Sequence, residues 1–245
     1  MGWLFIWAAW YYIYMGKRLF LIIIFLIPLF FPGPLLAAKK EAPNKVKESL
    51  VFPVPFTSQA PLAEWKDERQ QDGCEEASAL MARAWQLGSD TKTKNEWRRQ
   101  ILALSDYELK HYGEFRDLSL EAVRDWVFGD YFSNDSVSLK KATSSASILS
   151  ELEKGRLVLV QTDGRALKNP YFTAPGPERH MLLIKGYDYS KKQFIVNDPG
   201  TRRGESYRYS EKVLYAAIRP YATGNKEVFP PLEKKYLSIE KPLKK

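Results

Sequence analysis

The chain has 245 residues, a hydrophobic share of 45%, a charged share of 27% and a formal net charge of +8, values that are typical of a globular protein. A single cysteine excludes an internal disulfide. The two histidines, His111 and His180, have no metal-ligand spacing, so we expect neither a metal nor another cofactor. Because no arginine-rich helix and no stripe of aromatic and basic residues accompanies the positive charge, we expect no nucleic-acid partner.

The first 38 residues are strongly apolar and contain no acidic residue. A basic pair at positions 17 and 18 precedes an apolar stretch that starts at Leu19, and small residues end the segment at Ala38, as in a secretory signal read from Met15. The stretch is also long enough to span a bilayer. We therefore predict a signal peptide or an N-terminal membrane anchor over residues 1–38, with the anchor slightly favoured. The protein is then expected at the extracytoplasmic face of the cell membrane or as a secreted protein.

The rest of the chain divides into a polar linker, one folded domain and a tail. Residues 39–50 are mostly polar and charged, which is typical of a tether. Residues 51–219 contain the periodic apolar segments of a packed domain. Residues 220–245 carry four prolines and several lysines, and we predict that they form a loosely packed C-terminal tail.

The first strong helix signal begins at the cysteine. From Cys74 onward, apolar residues recur at steps of three and four, and Gly88 closes the pattern. Asp72 and Glu75 have the spacing of a capping box, so Cys74 is expected in the first turn. Glu75 and Glu76 are then expected to cap the helix or to face solvent.

The order of the remaining elements predicts the fold class. Helices are expected around residues 96–104, 120–128 and 146–154, with their tryptophans on the apolar faces of the core. After Gly155 the pattern changes to short runs typical of strands. The predicted strands are residues 157–161, 180–186, 193–197 and 206–209. Helices first and strands second, without regular βαβ alternation, predict an α+β fold.

Cys74, His180 and Asp198 form the candidate chemical site. A lone thiol at a helix start, a histidine on a strand and a carboxylate at the end of the next strand can act as nucleophile, base and orienting group. Taken singly, the thiol is also consistent with a buried structural cysteine and the histidine with a hydrogen-bonded core residue. The helix dipole and a nearby imidazolium predict a pKa of Cys74 below the free value of about 8.5.

This order of residues resembles that of the papain-like cysteine peptidases. Within them it is most similar to the family of the bacteriocin leader-processing peptidases, and especially to its stand-alone peptidase-like branch. The resemblance implies a papain-like architecture in which an N-terminal helical half carries the cysteine and a C-terminal antiparallel sheet carries the histidine and the aspartate. The segments that carry it are Val54–Gln59, Asp72–Ser78, Asn169–Phe172, His180 with Gly186–Asp188, and Asn197–Gly200.

The resemblance implies roles for four residues. Cys74 is the nucleophile, and His180 takes its proton and later protonates the leaving amine. Asp198 holds the imidazole through its other nitrogen. Gln59 donates its side-chain amide to the oxyanion, together with the backbone N–H of Cys74.

The oxyanion role has competitors in this sequence. Gln59 lies fifteen residues before Cys74, whereas the leader peptidases have the glutamine only a few residues before the cysteine. An inserted loop would explain the spacing. Gln70 and Gln71 are nearer in sequence and stay candidates for the same role.

The orienting role also has a competitor. Asn197 precedes Asp198 directly, at the end of the same predicted strand. Because adjacent strand residues point to opposite faces, only one of the two can contact His180, and Asp198 matches the family pattern better.

Together these residues predict an exported or membrane-tethered thiol peptidase or amidase that acts on a peptide or protein substrate. One alternative is a catalytically silent module on the same fold that binds extended peptides or envelope polymers. Another is an acyl transferase of the transglutaminase-like type. The chain has no transporter portion, so cleavage after paired glycines is not implied.

Overall fold

A computed structural model describes residues 48–89, 92–224 and 233–241. Within these residues, helices and one antiparallel sheet confirm the predicted α+β class. The helices are α1 (Glu68–Gln71), α2 (Cys74–Leu87), α3 (Lys94–Tyr112), α4 (Leu120–Ala122, continued by the π-helical Val123–Tyr131), α5 (Ser145–Glu153), α6 (Gly164–Leu167) and α7 (Glu211–Ala217). The strands are β1 (Ser49–Val51), β2 (Val137–Lys141), β3 (Leu157–Thr162), β4 (His180–Asp188), β5 (Gln193–Asn197), β6 (Tyr207–Ser210) and β7 (Lys235–Ile239).

The sheet has the strand order β2-β7-β3-β4-β5-β6, and β1 pairs with β4. Side chains alternate between its two faces along β4. Met181 and Leu183 pack in a core that includes residues of α2 and α3, whereas Leu182 and Ile184 pack in a second core with residues of α5 and α7. The sheet therefore separates two cores, and the helix that starts at Cys74 packs against one face only.

The four predicted strands are confirmed as β3, β4, β5 and β6, and β4 and β5 form the expected hairpin. The prediction of a loosely packed tail over residues 220–245 is wrong at β7, which lies between β2 and β3. Tyr236 packs in one core, and Leu237 and Ile239 pack in the other. The lysines that flank this short apolar run hid its alternation in the sequence.

The predicted helix around residues 96–104 is longer in the structure and begins with a capping box. Thr93 accepts the N–H of Glu96, and the Glu96 side chain accepts the N–H of Thr93. Trp97 is buried, as its apolar face predicted. Trp126 is only half-buried and stacks on Tyr112 with the ring centroids 4.2 Å apart.

The start of α2 differs from the predicted capping box. Asp72 is the C-cap of α1, and Gly73 is the N-cap of α2 and supplies no side-chain cap, so the Asp72–Glu75 box is not formed. A Cβ atom at Gly73 would lie 2.5 Å from the carbonyl oxygen of Arg69. Only glycine fits this close approach, and the tight junction sets the direction in which α2 leaves α1. At its other end the helix stops at Gly88, in the left-handed conformation with φ 63°.

The predicted leader over residues 1–38 lies outside the described residues, as does most of the linker. Within the part of the chain that the structure describes, no helix combines the length and the apolar character that crossing a membrane requires. The leader therefore remains a prediction from the sequence.

Candidate active site

Cys74 is the first residue of α2 and is 5% exposed. Its thiol donates a hydrogen bond to Glu75 Oε2 over 3.0 Å. The backbone N–H of Met181 donates to Sγ over 3.3 Å. The sulfur therefore touches the peptide bond that joins His180 to Met181, at the start of β4.

The surroundings of the thiol overturn the prediction of a lowered pKa. Burial, followed by the negative charge of Glu75 and its hydrogen bond, raises the pKa of Cys74 well above its usual range. The N–H of Met181 acts in the opposite direction but is outweighed. A position at the helix start does not favour a thiolate here, because the thiol is buried and the Glu75 side chain lies beside the sulfur.

Glu75 and Glu76 are fully buried, so the expectation that they cap the helix or face solvent is wrong. Glu75 accepts a hydrogen bond from the hydroxyl of Tyr221 over 2.6 Å. Glu76 accepts one from Ser105 over 3.1 Å and lies beside Glu108. Burial raises the pKa of Glu75 to about 8, with a further contribution from Glu76, and burial raises the pKa of Glu76 to about 7.

His180 and Asp198 are in direct contact. Nε2 of His180 lies 2.7 Å from Oδ1 of Asp198, and both side chains are buried. The ring of Phe172 packs edge to face on the imidazole, with the centroids 5.3 Å apart. A Cβ atom at Gly200 would lie 2.9 Å from Cε1 of His180, so only glycine lets the loop after β5 cover the ring this closely. These contacts fix the plane of the imidazole and leave Nδ1 as the nitrogen that Asp198 does not engage.

Asp198 accepts several hydrogen bonds besides that of the histidine. The Tyr209 hydroxyl donates to Oδ2 over 2.6 Å, the Asn169 amide donates to Oδ2 over 3.2 Å, and the Gly200 N–H donates to Oδ1 over 3.1 Å. Burial alone would raise the pKa of Asp198, but the charge of His180 and these donors hold that pKa below its usual range. Asp198 therefore stays ionised although it is completely buried.

Sequence reasoning did not assign a role to Tyr209 or to Asn169. Tyr209 lies on β6, whose short run was a weak strand signal with no indication of which side chain turns inward. Asn169 stands in a segment that carried the family resemblance. The amide of Asn169 also donates to the Tyr209 hydroxyl over 2.8 Å, so the two residues form one network on Asp198.

Asn197, the competing orienting residue, points away from the histidine. Its amide donates to the carbonyl oxygens of Val54 and Pro55, over 3.4 and 3.2 Å, and its Oδ1 accepts the N–H of Ser206 over 3.1 Å. These bonds attach the extended N-terminal segment to the end of β5. Asp198 is thus the one of the two residues that contacts His180.

Gln59 lies close to the cysteine despite the long spacing in sequence. Its side-chain Nε2 donates to the backbone carbonyl of Gln71 over 2.7 Å, three residues before Cys74. Its own backbone N–H donates to the carbonyl of Pro199 over 2.9 Å, next to Asp198. The intervening residues form a loop and α1 that return the chain to this point.

The two competing glutamines are placed differently. The Gln71 side chain is exposed, and Gln70 is buried with its amide donating to Glu64 over 3.0 Å. The Gln59 side chain is 6% exposed, and Oε1 of both Gln59 and Gln70 has no hydrogen-bond partner among the described residues. Of the three glutamines, Gln59 is the one whose amide bonds the backbone just before Cys74.

One contact that the sequence predicted is not made in this conformation. Within the described residues, no hydrogen bond joins Cys74 Sγ to the imidazole of His180. The thiol reaches the backbone beside His180 and bonds to Glu75 instead. His111, which the sequence gave no role, stacks on Tyr107 with the centroids 4.2 Å apart. In the described part of the chain, no group of three histidine, cysteine or acidic side chains is arranged to hold a metal ion.

Comparisons with known proteins bear on this arrangement. The model of the Peptidase_C39 like family matches residues 51–223. Among solved structures, the chain is similar to a protein from Bacillus anthracis whose crystal structure is described as that of a C39-like peptidase. The two sequences are 15% identical, the match covers 80% of this chain and 100% of that one, and the TM-score is 0.51, so the likeness concerns the fold alone. No curated protein matches the sequence.

Proposed function

Because the chain belongs to the Peptidase_C39 like family, we propose that it is a thiol peptidase or amidase that uses Cys74, His180 and Asp198 to hydrolyse a peptide or amide bond. The observation that carries the proposal is the contact of 2.7 Å between His180 and Asp198, next to the peptide bond on which the Cys74 thiol rests. This arrangement supports the proposal, because the chemistry requires a thiol near a base that a carboxylate orients.

In the proposed reaction, Asp198 engages Nε2 of His180 and leaves Nδ1 to take the proton of Cys74. Attack of Sγ on the substrate carbonyl carbon forms a tetrahedral intermediate, and the imidazolium then gives its proton to the leaving amine. A water molecule, deprotonated by the same imidazole, hydrolyses the thioester and restores the thiol. The first step requires Sγ to turn from Glu75 towards the imidazole.

Gln59 is the proposed donor to the oxyanion. Its amide lies at the turn that leads into α2, where it bonds the carbonyl of Gln71. Donors that already point at the position of the developing charge stabilise the transition state without reorganisation. The hydrogen of Nε2 that is not used by Gln71 is the one available for this role.

The proposed location is the extracytoplasmic side of a membrane, with residues 1–38 as a cleaved signal or a retained anchor. The support is the sequence of that segment: its apolar stretch, its basic pair and its lack of acidic residues. Fractionation of the natural protein with N-terminal sequencing tests it. A soluble species that begins at Lys39 would exclude the anchor, and a full-length cytosolic species would exclude both.

The test of the proposed chemistry uses an acyl-reactive thiol probe on the folded full-length chain. We expect labelling of Cys74 and its loss in His180→Ala. His111→Ala is the matched control, because it removes the other histidine of the chain, and it should label as the wild type does. Equal labelling of both variants would overturn the proposed role of His180.

A second candidate function is a catalytically silent module that binds a peptide. The observation that favours it is the thiol bonded to Glu75, with a raised pKa and without a hydrogen bond to the imidazole. This reading predicts no probe labelling of the folded protein, with peptide binding retained. Where labelling occurs, an added amine distinguishes hydrolysis from acyl transfer, because a transferase yields an amine adduct.

A further inference from the structure

Glu75 is the side chain in most direct contact with the proposed nucleophile. It is 0% exposed, and each of its oxygens has one donor: the Cys74 thiol on Oε2 and the Tyr221 hydroxyl on Oε1. Tyr221 is itself buried, 6% exposed, in the segment that follows α7. The Glu75 carboxyl therefore lies between the thiol and the phenol, which are two weakly acidic donors, and it is not exposed to solvent.

The other ionisable groups that act on Glu75 are also acids. Glu76 follows it on α2, and Asp117 approaches from the segment between α3 and α4. Asp117 forms an ion pair of 3.1 Å with Arg179, which is the residue before His180. Negative charge on these neighbours makes each further ionisation in this site more costly.

We infer that Glu75, held by Tyr221, is a positioning residue that competes with Cys74 for one proton, and that its carboxylate form keeps the nucleophile as a thiol directed at Glu75 rather than at His180. The inference rests on the proposed function, since it concerns how Cys74 is made ready for attack. When the pair holds one proton, the proton either stays on sulfur, in the hydrogen bond to Oε2 of the Glu75 carboxylate, or the S–H bond breaks and an O–H bond forms on Oε2, which leaves a thiolate. When both groups are protonated, the thiol no longer donates to a charged acceptor and is free to turn towards His180.

This arrangement opposes the ordinary behaviour of a thiol. Reactivity normally rises with pH because the thiolate fraction rises. Here the same rise in pH ionises Glu75, whose pKa is raised to about 8 by burial and by Glu76, and the new charge disfavours the thiolate. The two groups therefore titrate as a coupled pair, with the first ionisation centred on Glu75.

The experiment measures iodoacetamide alkylation of the single cysteine in the full-length chain by intact-mass spectrometry, from acid to alkaline pH. Glu75→Gln keeps the shape of the side chain and removes its charge. Below about pH 8, where Glu75 is largely neutral, we expect little change. Above it, where Glu75 is ionised in the wild type, the alkylation rate of the variant should exceed that of the wild type by about tenfold or more, since one pKa unit changes the thiolate fraction about tenfold. An unchanged or lower rate in the folded variant at this alkaline pH would overturn the inference.

Glu76→Gln is the matched control. It changes the next residue of the same helix, which is equally buried but makes no hydrogen bond to the sulfur. Its effect on alkylation should be clearly smaller than that of Glu75→Gln. An equal effect would assign the result to the general negative charge of the site and would overturn the specific role of Glu75.

The infrared S–H stretching band of the wild type provides a test that needs no variant to fold. Because the chain has one cysteine, the band reports Cys74 alone. We expect it to persist above the midpoint of an ordinary thiol and to change frequency as Glu75 ionises. Loss of the band below that midpoint would overturn the inference. Labelling that does not require His180 would instead defeat the proposed function and leave the infrared result unaffected.

Discussion

Two carboxyl groups beside the candidate site are equally buried and behave in opposite ways. Asp198, in what we call the sheet half (His180 with Asp198), has a pKa below its usual range, whereas Glu75, in the helix half (residues 74–76), has a pKa raised to about 8. Both residues are 0% exposed. Burial alone therefore does not decide the charge state of either group.

The difference lies in the donors that converge on each carboxyl. Asp198 accepts from an imidazole, a phenol, an amide and a backbone N–H. Glu75 accepts from a phenol and a thiol, and its neighbours include two further acids, Glu76 and Asp117. A buried charge is stable where enough donors replace the lost water, and it is suppressed where acids face one another. The sheet half thus holds a fixed charge, the Asp198 carboxylate. The helix half holds movable protons, because its acids have raised pKa values and gain or lose protons near neutral pH.

The largest effect is expected at the fixed charge. Asp198→Ala removes the acceptor that orients His180, and we expect turnover to fall by about 10⁴-fold, the scale known for loss of an orienting carboxylate. Asn197→Ala is the control, because its amide bonds only the backbone of the N-terminal segment and Ser206. Turnover of the folded variants is the measurement. A larger loss in Asn197→Ala than in Asp198→Ala would move the orienting role to Asn197.

Gln59→Ala should have the next largest effect. Removing one oxyanion donor typically costs about 2.7–4 kcal/mol in the barrier, or roughly a hundred- to a thousandfold in rate. Alkylation of Cys74 should change little, because it forms no tetrahedral oxyanion. Gln71→Ala is the matched control, since the exposed Gln71 side chain is removed while the carbonyl that binds Gln59 stays. If Gln71→Ala shows the large loss instead, the oxyanion role belongs to that residue.

The sheet half was the more predictable part of the sequence. The apolar run of β4 and the position of Asp198 after β5 are local patterns that indicate the two strands. Alternation restricts the contact with His180 to one of Asn197 and Asp198, and the resemblance to the family selects Asp198. Tyr209 could not be assigned in the same way, because its inward direction depends on the register of β6 against β5.

The sequence-based predictions for the helix half were wrong for a physical reason. The spacing of Asp72 and Glu75 fits a capping box, and charged residues in a first turn usually face water. In the fold, Gly73 lets α1 and α2 meet so closely that the first turn of α2 is enclosed, and both glutamates turn inward. No local pattern signals that enclosure. The raised pKa of Cys74 follows from it and could not be predicted from the helix dipole.

A smaller effect is expected from Tyr209→Phe, which removes the hydroxyl that donates to Asp198 over 2.6 Å. Hydrogen bonds to charged groups contribute about 1.5–3 kcal/mol, so stability at neutral pH should fall on that scale. Because the pKa of Asp198 is lowered in the folded protein, its stabilising effect is present above the ordinary pKa and is lost as pH falls through the lowered one. With one donor fewer, the pKa of Asp198 in the folded variant should be lowered less, so this acid loss should be smaller and should end at a higher pH.

Thermal unfolding of wild type and variant over a series of acidic pH values measures this shift. Tyr207→Phe is the control, because Tyr207 packs on Tyr209 with the ring centroids 4.8 Å apart but makes no hydrogen bond to Asp198. The prediction fails if the stability of the two variants falls over the same range of acidic pH.

The smallest effect is expected behind the helix half, at the buried pair of Glu76 and Glu108. Burial raises the pKa of Glu76 from 4.5 to about 7, and burial followed by the charge of Glu76 raises the pKa of Glu108 well above its usual range. Acids with raised pKa values bind protons more tightly in the folded state, so their penalty is absent at acid pH and grows as pH rises above the ordinary value. Both oxygens of Glu108 lack a hydrogen-bond partner among the described residues.

Glu108→Gln replaces one acid of this pair by an amide that can donate to Glu76. We expect no gain in stability at acid pH, where both carboxyls are neutral, and a gain of about 1–3 kcal/mol above neutral pH, where the variant satisfies a buried charge. Denaturant unfolding at the two pH values gives the free energies. Glu76→Gln removes the other acid of the pair and should likewise reduce the loss of unfolding free energy as pH rises. A loss of stability at alkaline pH in both variants would mean that the glutamates are stabilised by each other, and the contrast between a fixed charge in the sheet and movable protons in the helix would no longer hold.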